Sequence, residues 1–212
     1  MSALQFEIVG ARAEAYTAAP MLSFRLRIRD NTNTTVEAMA LRIQLQIEPR
    51  RRHYDGTEEQ RLEELFGTPE RWGDTLRTLL WAHASLMVPS FSGSCEIDVP
   101  VPCTYDFEVA ASKYLDGLQD GEVPVLMLFS GTIFRRSETD FVVEQIPWEV
   151  EAPYRLPVSV WRDAMNFHFP NAAWLRVHKD TFDELYRFKR GRAVTSWDEA
   201  ISELLDLAGE KL

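Results

Sequence analysis

The stretch LSFRLRIRDNTNTTVEAMALRIQLQI, residues 22–47, decides the fold class. Apolar residues alternate with serine and arginines in its first half, and with arginine and glutamines near its end. Successive side chains of a strand point to opposite faces, so each half predicts a strand with one apolar and one polar face. Asn31 to Thr34 joins the halves with residues that favour turns. We therefore predict a hairpin of two long strands within an antiparallel β-sandwich.

Similar alternation recurs through the first two thirds of the chain. We predict roughly eight strands within residues 1–152, at turn spacings that are typical of a sandwich. Val123 to Phe134 is nearly all apolar and predicts a central strand buried on both faces. Phe141 to Val150 is expected to pair back, with an interruption at Pro147 because proline lacks a backbone donor. The predicted fold class is α+β, a mainly antiparallel, immunoglobulin-like β-sandwich.

A helical insertion is predicted between these strands, over residues 57–83. Thr57 and Gln60 have the spacing of a capping box, and Gly67 is expected to end the first helix. Thr68, followed by proline and glutamate, predicts the start of a second helix. The insertion would cover one end or one open face of the sandwich. The apolar face of the second helix would comprise Trp72, Leu76, Leu79, Leu80 and His83.

The remaining residues, 153–212, predict a helical C-terminal module. Their apolar period changes from two to about 3.6, which is the period of an amphipathic helix. A first helix would follow Pro157, and a short strand would run from Leu175 to His178. Two further helices would complete the module, the last of them capped by Ser196 with Glu199 at the capping-box spacing.

The strand–helix–helix order resembles ribbon-helix-helix modules, which dimerise through the strand and place its outward residues in the DNA major groove. The resemblance implies that Arg176 and His178 face the bases and that Lys179 lies near phosphate. A DNA-binding regulator, acting as a homodimer, is therefore one alternative function. However, residues 161–212 carry eight Lys/Arg against nine Asp/Glu, whereas a DNA-binding ribbon is normally basic. This balance favours helices that pack on the sandwich or on a partner.

Whole-chain composition restricts the kinds of binding partner and the cellular compartment that we expect. The 212 residues carry a formal net charge of −10, which disfavours binding to nucleic acid or to an anionic membrane surface. The N-terminus has no basic region followed by an apolar core, and no apolar run approaches the roughly 20 residues that span a bilayer. We therefore expect a cytoplasmic protein without membrane insertion.

The sequence contains two cysteines, Cys95 and Cys103. They are interpreted as two unpaired thiols, although a disulfide between them is an alternative in an oxidising compartment. A metal site is weakly supported, because there is no CxxC motif and no histidine stands beside a cysteine. Metal handling through these two cysteines remains a second alternative function.

No arrangement of residues predicts catalysis. The sequence has no Gly-rich phosphate loop, no GxSxG and no HExxH, so we expect neither an enzyme nor a bound cofactor. The candidate binding residues are instead arginines and tryptophans. Arg50, Arg51 and Arg52 form either an anion site or a solvated strand exit that faces nearby acids. Tryptophans are frequent interface anchors and are as often core residues; the candidates are Trp72, Trp161 and Trp174.

Several longer strings are more specific than these motifs, among them LRIQLQIEPRRR at 41–52 and QIPWEVEAPYRLPVSVWRDAMNFHFPNAAWLRV at 145–177. They resemble a bacterial family of unknown function over nearly the full length of the chain. The resemblance implies genes encoded near those of nickel–iron hydrogenases, and therefore hydrogenase subunits or maturation proteins as partners. It implies no catalytic residues. Our leading hypothesis is a non-enzymatic protein-binding or assembly accessory protein.

Overall fold

The structure, a computed structural model, describes residues 4–32, 34–103, 109–136, 140–170 and 177–209. The chain divides into two units, Met1–Pro170 and Asn171–Leu212. Among the described residues, no helix is long and apolar enough to cross a lipid bilayer. The elements, in chain order, are β1 Leu4–Ala13, β2 Met21–Asp30, β3 Thr35–Ile47, α1 Gly56–Phe66, α2 Trp72–Thr75, β4 Leu79–Val88, β5 Ser94–Pro102, α3 Val109–Gly117, β6 Glu122–Arg136, β7 Phe141–Gln145, β8 Glu151–Pro157, α4 Val158–His168, α5 Lys179–Arg192 and α6 Trp197–Ala208.

Two antiparallel sheets face each other in the first unit. One sheet has the order β1–β2–β5, and the other has the order β4–β3–β6–β7, with β8 also paired to β6. Aromatic rings join the two inner faces. The rings of Phe6 and Phe129 stack with their centroids 4.3 Å apart, and the ring of Phe24 meets that of Trp81 edge-on. The predicted antiparallel β-sandwich is therefore confirmed.

The stretch that decides the fold class forms an arch between the sheets, and the predicted hairpin is wrong. β2 pairs with β1 and β5, whereas β3 pairs with β4 and β6. The chain crosses from one sheet to the other after Asp30, whose carboxylate accepts hydrogen bonds from Thr32 and Arg135. Both strands bury the predicted apolar face. Alternation specifies the buried face of a strand and leaves its neighbours open, which is why the pairing was not predictable.

The helical insertion predicted over 57–83 ends too late, because its last residues belong to a strand. The helices end at Thr75, and Leu79–Val88 is the edge strand β4, paired with β3. Trp81 is buried against Phe24, while His83 is exposed to solvent. The apolar spacing of this segment suits a helix as well as a strand, so the unpaired edge of β3 decides the outcome. The first predicted helix is present, with Gly67 at its end. The capping box predicted at Thr57 and Gln60 is wrong, because Asp55 is the N-cap and its carboxylate accepts from the Thr57 and Glu58 amides.

The first unit extends beyond the predicted boundary between residues 152 and 153. β8 pairs with β6 over seven residues, and α4 follows it directly. α4 buries Val158, Trp161 and Ala164, and the ring of Trp161 meets that of Trp81. These contacts place residues up to Pro170 with the sandwich. The change of apolar period at residue 153 therefore marks a change of element, and a helix can pack on a sheet without starting a domain.

The described part of the second unit is a pair of helices, α5 and α6. Ser196 accepts a hydrogen bond from the Glu199 backbone and Glu199 returns one, so the predicted capping box is confirmed. Of the predicted strand at 175–178, residues 175 and 176 lie outside the described ranges, and Val177 and His178 are not in a strand.

Candidate protein-binding site

The predicted arginine run does not form one site. The Arg50 guanidinium donates to the carbonyl of Gly73, and that of Arg51 pairs with Glu48 at 3.1 Å. Arg52 turns inward and pairs with the Glu58 carboxylate at 2.6 Å. It also donates to the carbonyl oxygens of Asp120 and Glu122, at 2.7 and 2.9 Å. The third arginine therefore stabilises the fold, and the other two have separate local partners.

A buried polar network surrounds Arg52. The hydroxyl groups of Tyr54 and Tyr114 lie 2.8 Å apart, and the Tyr54 hydroxyl donates to the Pro49 carbonyl. Burial raises the pKa of Tyr54 to about 12, and burial beside Tyr54 also raises the pKa of Tyr114. Both phenols therefore stay protonated at neutral pH and act as hydrogen-bonding groups of the core.

Two of the three candidate tryptophans are core residues, which corrects their prediction as surface anchors. The Trp72 indole donates to the Gly67 carbonyl at 2.7 Å, and that of Trp161 donates to the Asp116 carboxylate at 2.8 Å. Burial raises the pKa of Asp116, and the bond from Trp161 opposes this shift. Trp174 lies outside the described residues. A buried indole with a satisfied N–H cannot reach a partner, and sequence alone does not report burial.

Cys95 and Cys103 lie on and just beyond β5, and neither is in a disulfide. Eight residues of extended chain separate them by about 26 Å, which is too far for a disulfide or a shared metal ion. Burial raises the pKa of the Cys95 thiol, so the free thiol is protonated at neutral pH. Among the described residues, no group of three or more His, Cys, Asp or Glu side chains could hold a metal ion.

The residues of the predicted DNA-binding ribbon are partly described. Arg176 lies outside the described residues. His178 is the residue before α5, and its side chain makes no capping hydrogen bond. Lys179 pairs with Asp183 one turn along the same helix and lies over the ring of Phe182. The prediction that these three residues contact DNA stays untested.

An exposed apolar edge strand, β7, was missed as a binding site. It is the last strand of its sheet, and all five of its residues, FVVEQ, are exposed. Phe141 and Val143 expose 59% and 55% of their surface, although both are strongly apolar. The Phe141 ring stacks on that of Phe134 in β6 with the centroids 5.9 Å apart. Three consecutive apolar residues before Pro147 were the available sequence signal for such an edge.

The free backbone of β7 points away from the sheet at alternate residues. The Ile146 amide donates to the Gly131 carbonyl at 3.0 Å. Narrow and wide pairs alternate in an antiparallel ladder, so Glu144 and Val142 also face β6. The amide and carbonyl groups of Phe141, Val143 and Gln145 therefore face the open edge.

An exposed tryptophan follows this strand. Trp148 lies in the turn between β7 and β8 and exposes 90% of its surface. The next residues, 149–151, and the start of β1 line a groove of about 610 Å³. The charged residues of the groove are Glu7, Glu149, Glu151 and Arg29, and Glu7 pairs with Arg29 at 3.3 Å. We call the surface formed by β7, Trp148 and this groove the β7 surface. It combines unpaired backbone groups, large apolar side chains and carboxylates.

Comparison with known proteins establishes the family. The family model described as a family of unknown function, DUF6084, matches residues 1–212. The chain belongs to the DUF6084 family. This confirms the resemblance to a family of unknown function, whereas the association with hydrogenases stays a hypothesis. No curated protein matches this DUF6084 member.

Two solved structures show a distant likeness to this DUF6084 member. A putative late embryogenesis abundant protein, solved in solution, is 13% identical, with 73% of this chain and 70% of that one covered at a TM-score of 0.35. A β-glucosidase from Kluyveromyces marxianus is 7% identical, with 72% of this chain and 14% of that one covered at a TM-score of 0.28. Both scores are too low to bear on function.

Proposed function

We propose that this protein is a non-enzymatic accessory protein that binds an extended segment of another protein at the β7 surface. The observation that carries the proposal is the outward backbone of β7, flanked by the exposed Phe141 and Val143. An extended peptide that adds to a sheet edge gains main-chain hydrogen bonds, and alternate side chains provide its specificity.

The β7 edge lacks the usual protection against such pairing. Natural sheet edges are commonly guarded by lysine, by proline within the strand or by inward-pointing charges. β7 contains no lysine or proline, and its one charged residue, Glu144, is engaged by Arg135 at 3.0 Å. An unguarded apolar edge of this kind is a hazard unless a partner covers it, so it favours a binding role.

Trp148 and the acidic groove suggest the chemistry of the partner segment. Tryptophan is enriched among the residues that dominate binding free energy at interfaces. The carboxylates of Glu149 and Glu151 favour basic side chains in the segment, in keeping with the chain's net charge of −10. We therefore expect a segment that pairs apolar residues with lysine or arginine.

Hydrogenase subunits or maturation proteins are the partners implied by the family resemblance, and a cytoplasmic location is part of the same hypothesis. The two alternative functions, DNA binding through the C-terminal module and metal handling through Cys95 and Cys103, have less support. α6 is acidic along its whole length, which disfavours DNA, and the distance between the cysteines disfavours metal handling through both.

The test is affinity capture of the tagged full-length chain in native cells, comparing wild type with Val143→Pro. Proline at this position removes an outward amide and no hydrogen bond to β6, so the sandwich should fold normally. Val143→Ile, which keeps the amide and the apolar side chain, is the matched control. We expect the specific partner to fall about tenfold or more with Val143→Pro and to persist with Val143→Ile.

Trp148→Ala provides a second variant that leaves the β7 backbone intact, and it should weaken capture of the same partner. The proposal is wrong if Val143→Pro and Trp148→Ala, both folded by circular dichroism, recover that partner as well as wild type does. Recovery of nucleic acid that resists moderate salt, in place of a protein, would favour the DNA alternative.

A further inference from the structure

The C-terminal helices form a well-delimited hairpin. α5 ends at Ala193 in a left-handed conformation with φ 55°, and the capping box of Ser196 begins α6. The Trp197 ring contacts those of Phe182 and Tyr186, with centroids 5.2 and 6.2 Å apart. The Lys189 ammonium lies over the same indole. These contacts set the pairing of the two helices.

This hairpin lacks a core of its own. Within residues 177–209, α5 has no buried residue and α6 buries Ala200 alone. Helices of 14 and 12 residues are marginal in isolation, and most helical stability comes from tertiary packing of an apolar face. A unit of this size needs further packing to be stable. The exposed apolar side chains available for such packing, which we call the apolar stripe, are Phe182, Tyr186, Ile201 and Leu205.

The charges of the two helices are complementary. α5 carries five basic and three acidic residues, whereas α6 carries four acidic residues and no basic one. Arg192 of α5 already pairs with Glu203 of α6 at 2.9 Å within the hairpin. A second copy of the hairpin offers the same complement, because its α6 suits this α5 and its α5 suits this α6.

We propose that the α5–α6 hairpin is a homodimerisation module, in which two copies pack their apolar stripes together as a four-helix bundle. Each α5 would lie beside the partner's α6, so that the interface is self-complementary under two-fold symmetry. The dimer would cover the exposed apolar stripe of each hairpin.

The first measurement is the mass of the full-length chain by light scattering coupled to size exclusion. We expect twice the 24.4 kDa of one chain for wild type. Ile201→Glu with Leu205→Glu, both exposed on α6, should give the single-chain mass. Leu80→Glu, at an exposed leucine of β4, is the matched control and should stay dimeric. A wild-type mass of one chain, or a stripe variant that stays dimeric, overturns the proposal.

Reversing the charges of α5 in one chain and of α6 in another tests whether each α5 lies beside the partner's α6. One chain carries Arg187→Glu and Arg190→Glu, which leave α5 with three basic and five acidic residues. A second carries Asp198→Lys, Glu203→Lys and Asp206→Lys, which leave α6 with three basic residues and one acidic residue. Each alone places like charges beside one another in its homodimer, so each should dissociate at low salt. Mixed together, they should form a heterodimer, because each α5 then lies beside a partner α6 of opposite charge. Failure of the mixture to associate contradicts the α5–α6 pairing.

Discussion

The sandwich and the C-terminal hairpin obtain stability in different ways. The sandwich buries a continuous core between two sheets, and its inner strands β2 and β3 place leucines, isoleucines, Phe24 and Met39 fully inside. The hairpin contains equally good helix signals but buries one alanine among its described residues. Local sequence signals therefore define the helices and strands of both units. The stability of each unit by itself depends on whether its apolar faces pack against one another. This difference is the basis of the proposal that two hairpins dimerise.

Paired glycine substitutions should separate the two regions most strongly. Gly131 in β6 has φ 142°, and an added Cβ would overlap the Ala40 carbonyl oxygen. Gly131→Ala should therefore lower the free energy of unfolding by about 5 kcal/mol, because backbone strain and steric overlap add. Gly191→Ala in α5 meets no atom within 4 Å and should slightly stabilise the helix. Urea denaturation measures both, and equal effects would contradict the comparison.

A buried ion pair at the arch should give the next largest effect. Arg135 and Asp30 form a pair with side chains 6% and 1% exposed, and Thr32 and Thr34 also accept from Arg135. Arg135→Met leaves the Asp30 charge buried without its partner and should cost about 4 kcal/mol. Lys179→Met breaks the exposed pair with Asp183 in the hairpin and should cost well under 1 kcal/mol. Denaturant midpoints of the two variants check the contrast.

The same pair predicts an acid transition of the sandwich. Burial alone would raise the pKa of Asp30, but the hydrogen bonds from Arg135 and Thr32 outweigh it and hold that pKa below its ordinary value. The unfolded carboxyl titrates near about 3.9, so the ionised form stabilises the fold above that pH and its contribution is lost as pH falls further. Asp30→Asn, although less stable at neutral pH, should therefore lose less of its stability between about pH 5 and 2. Urea denaturation across this range measures the slope, and parallel slopes would contradict the assignment.

The smallest effect is expected at the turn between α5 and α6. Ala193 adopts a left-handed conformation that costs a residue with Cβ about 1 kcal/mol and costs glycine little. Ala193→Gly should therefore favour the hairpin. If folding of the hairpin is coupled to dimerisation, both hairpins contribute, and the dimer dissociation constant should fall about thirtyfold. Sedimentation equilibrium measures this constant. An unchanged or higher dissociation constant would contradict the predicted backbone strain at Ala193.

The buried faces of the strands were predictable from the sequence, whereas the pairing of the strands was not. The alternation in residues 22–47 located both strands and their buried sides, but a period of two is the same in a hairpin and in an arch. Leu79–Val88 was misassigned because its short apolar run suits either period, and pairing with β3 is a long-range contact. Capping signals are local and were confirmed at Gly67, Ser196 and Glu199, whereas the first helix is capped by Asp55 and not by the predicted Thr57.

The candidate site was less predictable than the fold. Trp72 and Trp161 are buried while Trp148 is exposed, and nothing in the neighbouring residues distinguishes the three indoles. Burial depends on what the rest of the chain places above each ring. The exposure of β7 likewise follows from the order of strands in the sheet, with β7 at its edge. The interrupting Pro147 indicated an edge strand, but the outward direction of the Val143 amide required the register with β6.

The most direct test of the difference between the two units is hydrogen exchange of the full-length wild-type chain over a roughly hundredfold range of protein concentration. Mass action requires that protection arising from self-association rises with concentration, whereas protection arising from an internal core does not. We predict that amides of α5 and α6 become markedly slower at high concentration, while those of β2 and β3 exchange equally slowly throughout. Concentration-independent protection of α5 and α6 would contradict the account.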